Sequence, residues 1–170
     1  MIKLTELLTN QKYKIYSDLD TVLSDFDAAF REIADVKTKT GWEYRDRFGE
    51  EKVWEIIRKA GLSFWSDMSW MPDGKELWNH IKDFNPIILS APSRTDVEVC
   101  KTGKIIWCKR NLGPRVQVIL EKQKYKYANP NSILIDDREK NTVPWEQHGG
   151  IAILHTSADD TIKKLKGLGL

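Results

Sequence analysis

The chain has 170 residues, of which 41% are apolar and 31% are charged, and its net charge is +2. This length fits one domain with a small insertion, and so small a net charge gives no argument for binding to nucleic acid or to a membrane surface. The spacing of Cys100 and Cys108 fits neither a disulfide framework nor a zinc motif, and no apolar run is long enough to span a membrane. With no signal peptide visible, we expect a soluble cytoplasmic protein.

The first predicted strand, residues 14–18, ends in two carboxylates. It follows residues 1–8, which are predicted as a short helix or an irregular arm. Asp18 and Asp20 lie two apart, so on an extended backbone their side chains point the same way. Such a pair repels unless a cation or a proton lies between the two groups. A divalent cation with oxygen ligands is the usual solution, and Mg²⁺ is the commonest where phosphate is handled.

The next interval, residues 26–71, is helical and aromatic and contains no convincing strand. Apolar spacing predicts helices over 24–34 and 50–60, the second capped by Gly61, with a loop or broken helix over 35–49. Phe64, Trp65 and Trp70 follow in an aromatic stretch. We interpret 26–71 as a small helical cap inserted into a core of residues 1–25 and 72–170, where it could close over a site and exclude water.

After residue 72, short apolar strands alternate with helices. Strands are predicted over 87–89, 116–120, 132–135 and 151–154, and helices over 75–83, 95–111 and 158–168, with a loop or short helix over 139–147. This alternation predicts a three-layer α/β fold around a parallel sheet. Ligands bind such sheets at the carboxyl ends of the strands.

Polar residues follow two of these later strands. Ser90 comes after the second strand, where its hydroxyl and the next backbone N–H could hold a phosphoryl oxygen. Asp136 and Asp137 come after the fourth strand. Helix caps and turns explain each of these residues equally well when it is considered alone, so their joint order along the chain carries the argument.

Taken together, these residues resemble the motifs of the haloacid dehalogenase (HAD) phosphatase superfamily. Asp18-Leu-Asp-Thr-Val-Leu resembles its first motif, Ser90 its second and Leu134-Ile-Asp-Asp-Arg138 its fourth. Over nearly its whole length the chain is similar to the 5'(3')-deoxyribonucleotidases, including their short phage and bacterial members. The further matching stretches are 18–26, 89–92, 104–107, 112–113, Trp145 and 149–150. The resemblance implies a HAD-like (Rossmannoid) core with a C1-type cap.

The resemblance also implies a mechanism, which is Mg²⁺-dependent hydrolysis of (deoxy)nucleoside monophosphates. Asp18 would attack phosphorus and form an aspartyl-phosphate, and Asp20 would protonate the leaving oxygen and then activate water. Mg²⁺ would bind Asp18, the Asp20 carbonyl and Asp137, with Asp136 in support. The third motif needs a lysine that reaches the nucleophile; the candidates are Lys104, Lys109, Lys122, Lys124 and Lys126. We favour Lys124, with Lys126 close behind.

For the substrate, the resemblance assigns the nucleobase to the aromatic residues Phe26, Phe64 and Trp65 and the phosphoryl group to Ser90 and Lys104. Position 91 is often a second hydroxyl residue in that family and is Ala91 here, which leaves the preference for 5' or 3' phosphates open. Position 21 is often glycine and is Thr21 here.

Two alternatives remain open. One is a 3'-phosphatase of DNA or RNA ends, for which the lysines at 122–126 could contact a strand. The other is a nucleotide-binding protein of the HAD fold that does not hydrolyse. We expect a small-molecule nucleotide as partner, no membrane, and nucleic acid only as a substrate end. Base preference, source (a phage gene acting in the host cytoplasm among the options) and a homodimeric state stay open.

Overall fold

The computed structural model describes residues 12–34 and 41–170, except the side chain of Trp42. The predicted arm at 1–8 and part of the predicted loop at 35–49 therefore lie outside the described residues.

Five strands of the described chain form one parallel sheet in the order β3-β2-β1-β4-β5. They are β1 (Lys14–Ser17), β2 (Ile87–Ser90), β3 (Gln117–Leu120), β4 (Ser132–Asp136) and β5 (Ile151–Leu154). Since β1 lies at the centre, with Ser17 opposite Ile88 on one side and Ile135 on the other, the polar residues after β1, β2 and β4 are brought to one edge.

The helices between and around the strands are α1 (Phe26–Ala34), α2 (Gly41–Phe48), α3 (Glu50–Ala60), α4 (Leu62–Ser66), α5 (Gly74–Ile81), α6 (Val97–Asn111), α7 (Glu139–Gln147) and α8 (Ala158–Gly167). Short 3₁₀ helices cover Lys82–Phe84 and Lys124–Tyr127. Gly61 ends α3 at φ 66°, and its N–H donates to the carbonyls of Ile57 and Arg58, as its predicted capping role requires.

The sheet is buried on both faces, which explains why its central strands are continuous apolar runs. Alternate residues of each strand point to opposite faces. Ile15, Ile88 and Ile135 pack into the larger core with α5, α6 and α8. Tyr16 and Leu134 pack on the other face around Trp145 of α7. The predicted three-layer α/β fold with a parallel sheet is thus confirmed.

Between β1 and α5, the described residues form four helices, α1 to α4, and no strand of the sheet. The two ends of this segment run side by side: the N–H of Met71 donates to the Leu23 carbonyl at 2.8 Å, and that of Asp25 to the Ser69 carbonyl at 2.8 Å. This geometry suits an insertion that leaves and re-enters the core at one place. The cap boundaries at 26 and 71 stay a prediction.

The stretch 35–49, predicted as a loop or broken helix, contains a helix, α2, in its described part. The ring centroid of Tyr44 lies 5.2 Å from that of Phe30 and 4.5 Å from that of Phe48, so the helix is supported by packing against α1. Helix propensity alone does not predict this packing, because it depends on a residue of another helix.

Both cysteines are buried and free. Among the described residues, no helix has the length and apolarity that crossing a membrane requires.

Candidate active site

A cavity of about 310 Å³ opens at the carboxyl edge of the sheet, between the strand ends and the helical segment 26–71. Its volume falls at the lower end of the range of small-molecule sites. Its floor is formed by residues that follow β1, β2 and β4, and its walls come from α1, α3 and α4. The lining residues include Asp18, Asp20, Phe26, Trp54, Trp65, Ser90, Ala91, Lys104, Lys124 and Asn141.

Asp18 is held at the floor by one buried lysine and the backbone. Lys124 Nζ lies 2.9 Å from Asp18 Oδ1, and the N–H of Leu19 donates to the same oxygen at 2.7 Å. Burial opposes the ionisation of Asp18, but the charges of Lys124 and Lys104 outweigh burial and hold its pKa below the usual value. The side chain is therefore an ionised carboxylate facing the cavity, as a nucleophile must be.

Lys124 bridges two strand ends. Its Nζ also lies 2.6 Å from Asp136 Oδ2, and its side chain is only 1% exposed. Asp136 accepts from the side chain of Asn141 and the N–H of Arg138, both at 3.0 Å. Burial and the nearby Asp18 charge raise the pKa of Asp136 to about 6. The structure thus gives Asp136 a supporting position around the lysine.

The 3₁₀ helix at Lys124–Tyr127 contains both favoured lysines and directs their side chains to different places. It turns Lys124 inward, whereas the side chain of Lys126 is 50% exposed and pairs with Glu121 at 3.3 Å. Lys126 is not among the described residues that line the cavity. Of these two candidates, the structure brings only Lys124 to Asp18.

A second buried lysine, Lys104 of α6, joins the other predicted residues. Its Nζ lies 2.7 Å from Asp20 Oδ2, 3.0 Å from Ser90 Oγ and 2.7 Å from the carbonyl of Ala91. Burial would lower the pKa of Lys104, but the Asp20 charge and further contacts raise it overall. Ala91 therefore contributes a backbone acceptor where a hydroxyl residue would add a donor.

Asp137 completes a group of oxygen donors suited to a divalent cation. Oxygens of Asp18, Asp136 and Asp137 all lie within 4.8 Å of one another. Oδ1 of Asp137 is buried and has no hydrogen-bond partner among the described residues, which is costly unless a ligand satisfies it. Burial, with the Asp18 charge, raises the pKa of Asp137. Three carboxylates with one orphaned oxygen fit a hard cation such as Mg²⁺. The carboxylate of Asp20 lies outside this group. A contact between the cation and the backbone carbonyl of Asp20 stays a prediction.

The turn after β1 holds Asp20 by an uncommon backbone conformation. Thr21 has φ 62°, in the left-handed region that a β-branched residue rarely adopts. Its N–H donates to the Ser24 carbonyl at 2.7 Å, and its hydroxyl donates to the Asp20 carbonyl at 2.6 Å. A left-handed position explains why glycine suits this place, and the local hydrogen bonds show how threonine is accommodated.

Aromatic side chains form one wall of the cavity. Phe26 and Trp65 line it, whereas Phe64 is 4% exposed and packs edge to face behind them, 5.3 Å from Phe26 and 4.8 Å from Trp65 between ring centroids. Trp54 also lines the cavity, although it was not among the residues predicted for the site. Its Nε1 donates to Glu50 at 3.3 Å. Phe64 thus lies in a supporting position and Trp54 in a lining position.

Several other lining residues were not selected from the sequence as site residues. They are Arg45, Glu50, Arg94, Arg138, Lys140 and Asn141, and Lys122, one of the candidate lysines, also lines the cavity. Asn141 was within reach of sequence reasoning, because it lies one helical turn beyond Asp136 and Asp137. Arg94 and Glu50 form an ion pair at 2.8 Å across 44 residues, which no local pattern reveals.

The fold is similar to that of several solved structures. No protein-family model and no curated protein sequence matches the chain. Among solved structures, a hydrolase from Streptococcus pneumoniae TIGR4 is similar with a TM-score of 0.52 at 16% identity, over 91% of this chain and 99% of that one. A hydrolase from Pseudomonas syringae gives 0.51 at 12% identity, over 92% and 99%. A HAD-superfamily hydrolase from Ehrlichia chaffeensis gives 0.50 at 11% identity, over 92% and 97%. The chain therefore has the fold of HAD hydrolases.

Proposed function

We propose that the chain is a Mg²⁺-dependent phosphatase that hydrolyses (deoxy)nucleoside monophosphates through an aspartyl-phosphate on Asp18, as in the 5'(3')-deoxyribonucleotidases. The observation that carries this proposal is the position of Asp18. It is an ionised carboxylate at the floor of a cavity, with Lys124 at 2.9 Å and two further carboxylates beside it.

In the first step, Asp18 Oδ attacks phosphorus and the bond from phosphorus to the ester oxygen breaks. The electron pair of that bond leaves with the alcohol oxygen, which takes a proton from Asp20. In the second step, Asp20 accepts a proton from water, and the water oxygen attacks the phosphorus of the aspartyl-phosphate. Asp18 is released as a carboxylate, together with inorganic phosphate.

Ser90 and Lys104 are placed to hold the transferring phosphoryl group. Their polar atoms lie 3.0 Å apart and both belong to the cavity. Lys104 contacts Asp20 at 2.7 Å, so an arriving phosphoryl group would compete for the ammonium and free the Asp20 carboxyl group to carry the proton that it gives to the leaving oxygen.

Asp18 and Asp137, with the Asp20 carbonyl, are the residues that would hold Mg²⁺, and Lys124 keeps Asp136 paired beside them. When bound, Mg²⁺ would offset the charge of the phosphate and of Asp18, so that two anions can approach.

Phe26, Trp54 and Trp65 support a nucleotide as substrate, because an aromatic wall in the same cavity as a phosphoryl site suits a molecule that carries both a phosphate and a base. Stacking on an aromatic side chain contributes roughly 1–3 kcal/mol per base by alanine substitution in nucleic-acid complexes. That is sufficient to prefer nucleotides over sugar phosphates.

The test is phosphate release from dNMPs, NMPs, 3'-monophosphates and sugar phosphates, with Mg²⁺ and with EDTA. We expect release from dNMPs with Mg²⁺ only, and a loss of at least about a thousandfold in Asp18→Asn, which removes the nucleophile. Asp83→Asn is the matched control, because Asp83 lies in the exposed 3₁₀ helix Lys82–Phe84.

Circular dichroism would establish that Asp18→Asn is folded. Equal release from sugar phosphates and dNMPs would remove the nucleotide from the proposal. Release that survives in Asp18→Asn would remove the mechanism. Binding of dNMPs without any release would favour the non-hydrolysing alternative.

A further inference from the structure

The cations that line the cavity include a buried inner group and an exposed outer group, and two more, Arg45 and Arg138, are half-buried. Lys104 and Lys124 form the inner group: both side chains are 1% exposed, and both are paired with carboxylates of the floor. The outer group consists of Arg94, Lys122 and Lys140, which also line the cavity but are exposed. In the proposed function, the inner group binds the phosphoryl group that Asp18 attacks, whereas the outer group has no role.

The three outer cations come from three separate parts of the chain. Arg94 follows β2, Lys122 follows β3, and Lys140 begins α7 after β4. Arg94 pairs with Glu50 at 2.8 Å. In the described part of the chain, the ammonium groups of Lys122 and Lys140 form no ion pair with a carboxylate.

Lys140 lies close enough to Arg94 and to Lys124 for their charges to act on it. Partial burial lowers the pKa of Lys140, and the charges of Arg138, Arg94 and Lys124 lower it further, against the opposing charge of Asp136. Like charges gathered at one cavity mouth destabilise the empty site and favour an anion there.

Few carboxylates of residues 12–34 and 41–170 lie at this mouth. Within those ranges, the acidic residues that line the cavity are Asp18, Asp20 and Glu50, and each already contacts a lysine or arginine. The scissile phosphoryl group must lie on the floor against Asp18. The exposed cations therefore face whatever part of the substrate extends out of the floor.

We propose that Lys122 and Lys140, together with Arg94, form a subsite for a second phosphate group, so that the preferred substrate is a small nucleoside bisphosphate. This inference rests on the proposed function, since the first phosphate is the one attacked by Asp18. The aromatic wall holds the base, the floor holds the scissile phosphate, and the outer cations hold the other phosphate.

The experiment compares kcat/KM for deoxyadenosine 3',5'-bisphosphate with kcat/KM for the 5'- and 3'-monophosphates, with the products separated by chromatography. We expect the bisphosphate to be preferred roughly tenfold or more, mainly through a lower KM, since charge-assisted contacts to one phosphate supply that much. The preference should shrink between about 0.1 M and about 1 M salt, because exposed charges are screened.

The double variant Lys122→Gln/Lys140→Gln should lose most of this preference. The ratio of bisphosphate to monophosphate kcat/KM is the quantity to compare, since it cancels a general loss of activity. Lys163→Gln/Lys166→Gln on α8 is the matched control, with the same change of charge at exposed positions away from the cavity. An unchanged ratio in the cavity variant, or an equal fall in the control, would overturn the subsite.

Binding to Asp18→Asn, measured by calorimetry, separates the two proposals. If wild type hydrolyses dNMPs but turns the bisphosphate over no better, and Asp18→Asn binds the bisphosphate no more tightly than dNMPs, the subsite fails and the proposed function stands. If nothing is hydrolysed, the proposed function fails, and tighter binding of the bisphosphate still supports the subsite. A 3'-phosphorylated oligonucleotide preferred over the bisphosphate would overturn the small-molecule assignment in favour of strand ends.

Discussion

Two fully buried lysines, Lys104 and Lys124, organise the site at the level of single residues. Each ammonium lies between oxygens that come from distant parts of the chain, so each connects two strand ends. Buried ion pairs add little net stability, but removing one partner leaves an uncompensated buried charge. For this reason the two lysines couple the stability of the site to its chemistry.

Replacing Lys124 should therefore impair both activity and stability. In Lys124→Gln, the carboxylates of Asp18 and Asp136 lose the cation between them, so we expect the free energy of unfolding to fall by about 3 kcal/mol. Phosphate release should fall by roughly 100- to 1,000-fold, as when one preorganised donor is removed from a reacting anion. Urea denaturation and steady-state phosphate release are the measurements.

Lys126→Gln is the natural comparison, because the sequence left Lys126 as the second choice for the same role. Its exposed pair with Glu121 is worth at most about 1 kcal/mol. We expect stability and phosphate release close to wild type. Similar losses in both variants would show that Lys124 has no special position.

The sequence allowed most of these residues to be selected, because strand-terminal polar groups follow from local pattern. Asp18, Asp20, Ser90, Lys104 and Lys124 were selected and all line one cavity. The choice between Lys124 and Lys126 depended on which way a 3₁₀ turn points its side chains, which no periodicity encodes. Likewise, Phe64 and Trp54 are both aromatic residues on helices. Which of them faces the cavity depends on how those helices pack.

At the level of elements, α6 positions the aromatic wall. Trp107 Nε1 donates to the carbonyl of Met68 at 2.7 Å, and Asn111 accepts from Trp70 Nε1 at 3.2 Å, so α6 holds the end of the helical segment. Gly103 lies where α6 meets α4, and a Cβ there would collide with Cβ of Trp65 and approach the Leu62 carbonyl at 3.2 Å. Only glycine permits this close approach without movement of α4.

Gly103→Ala should thus destabilise the protein although alanine is the better helix former. Overpacking at a helix contact costs about 1–3 kcal/mol, which outweighs a propensity gain of about 1 kcal/mol. Since Trp65 must move, affinity for nucleotides should fall as well. Urea denaturation and nucleotide binding by calorimetry measure the two effects.

Gly167→Ala is the matched substitution, because Gly167 is also helical and a Cβ there has nothing within 4 Å. It should leave stability unchanged or raise it by up to about 1 kcal/mol. A stability of Gly103→Ala equal to that of Gly167→Ala would mean that α4 and α6 adjust freely and that the close contact does not position Trp65.

For the molecule as a whole, the layered fold could be predicted because a sheet buried on both faces leaves a strong sequence signal. β2 is apolar at three successive residues and β4 likewise, which only a doubly covered strand requires. The predicted strands agree with the observed ones to within one residue at each end. Over 35–49 the sequence left a loop or a broken helix open, because α2 is supported by packing against Phe30 of another helix.

The stability of the whole fold should depend on pH through His155, which follows β5. This side chain is buried, and its Nδ1 lies 2.8 Å from Thr161 Oγ1 of α8. Burial lowers the pKa of His155, against the opposing charges of Asp73 and Asp160. Between that lowered value and the ordinary value of about 6.5, the unfolded chain binds a proton that the folded protein excludes. Stability therefore decreases as the pH falls through this window.

The measurement is the free energy of unfolding of wild type and His155→Gln across pH 5–8 by urea denaturation, where the slope for one proton is at most about 1.4 kcal/mol per pH unit. Asp136, with its pKa raised to about 6, has the opposite sign, because its protonation favours the folded state as the pH falls. The total slope of wild type mixes both groups, whereas the difference between the two proteins isolates the imidazole. We expect wild type to become progressively less stable than His155→Gln, relative to their difference at pH 8, as the pH drops below about 6.5. A difference independent of pH would show that His155 can be protonated within the folded protein without cost.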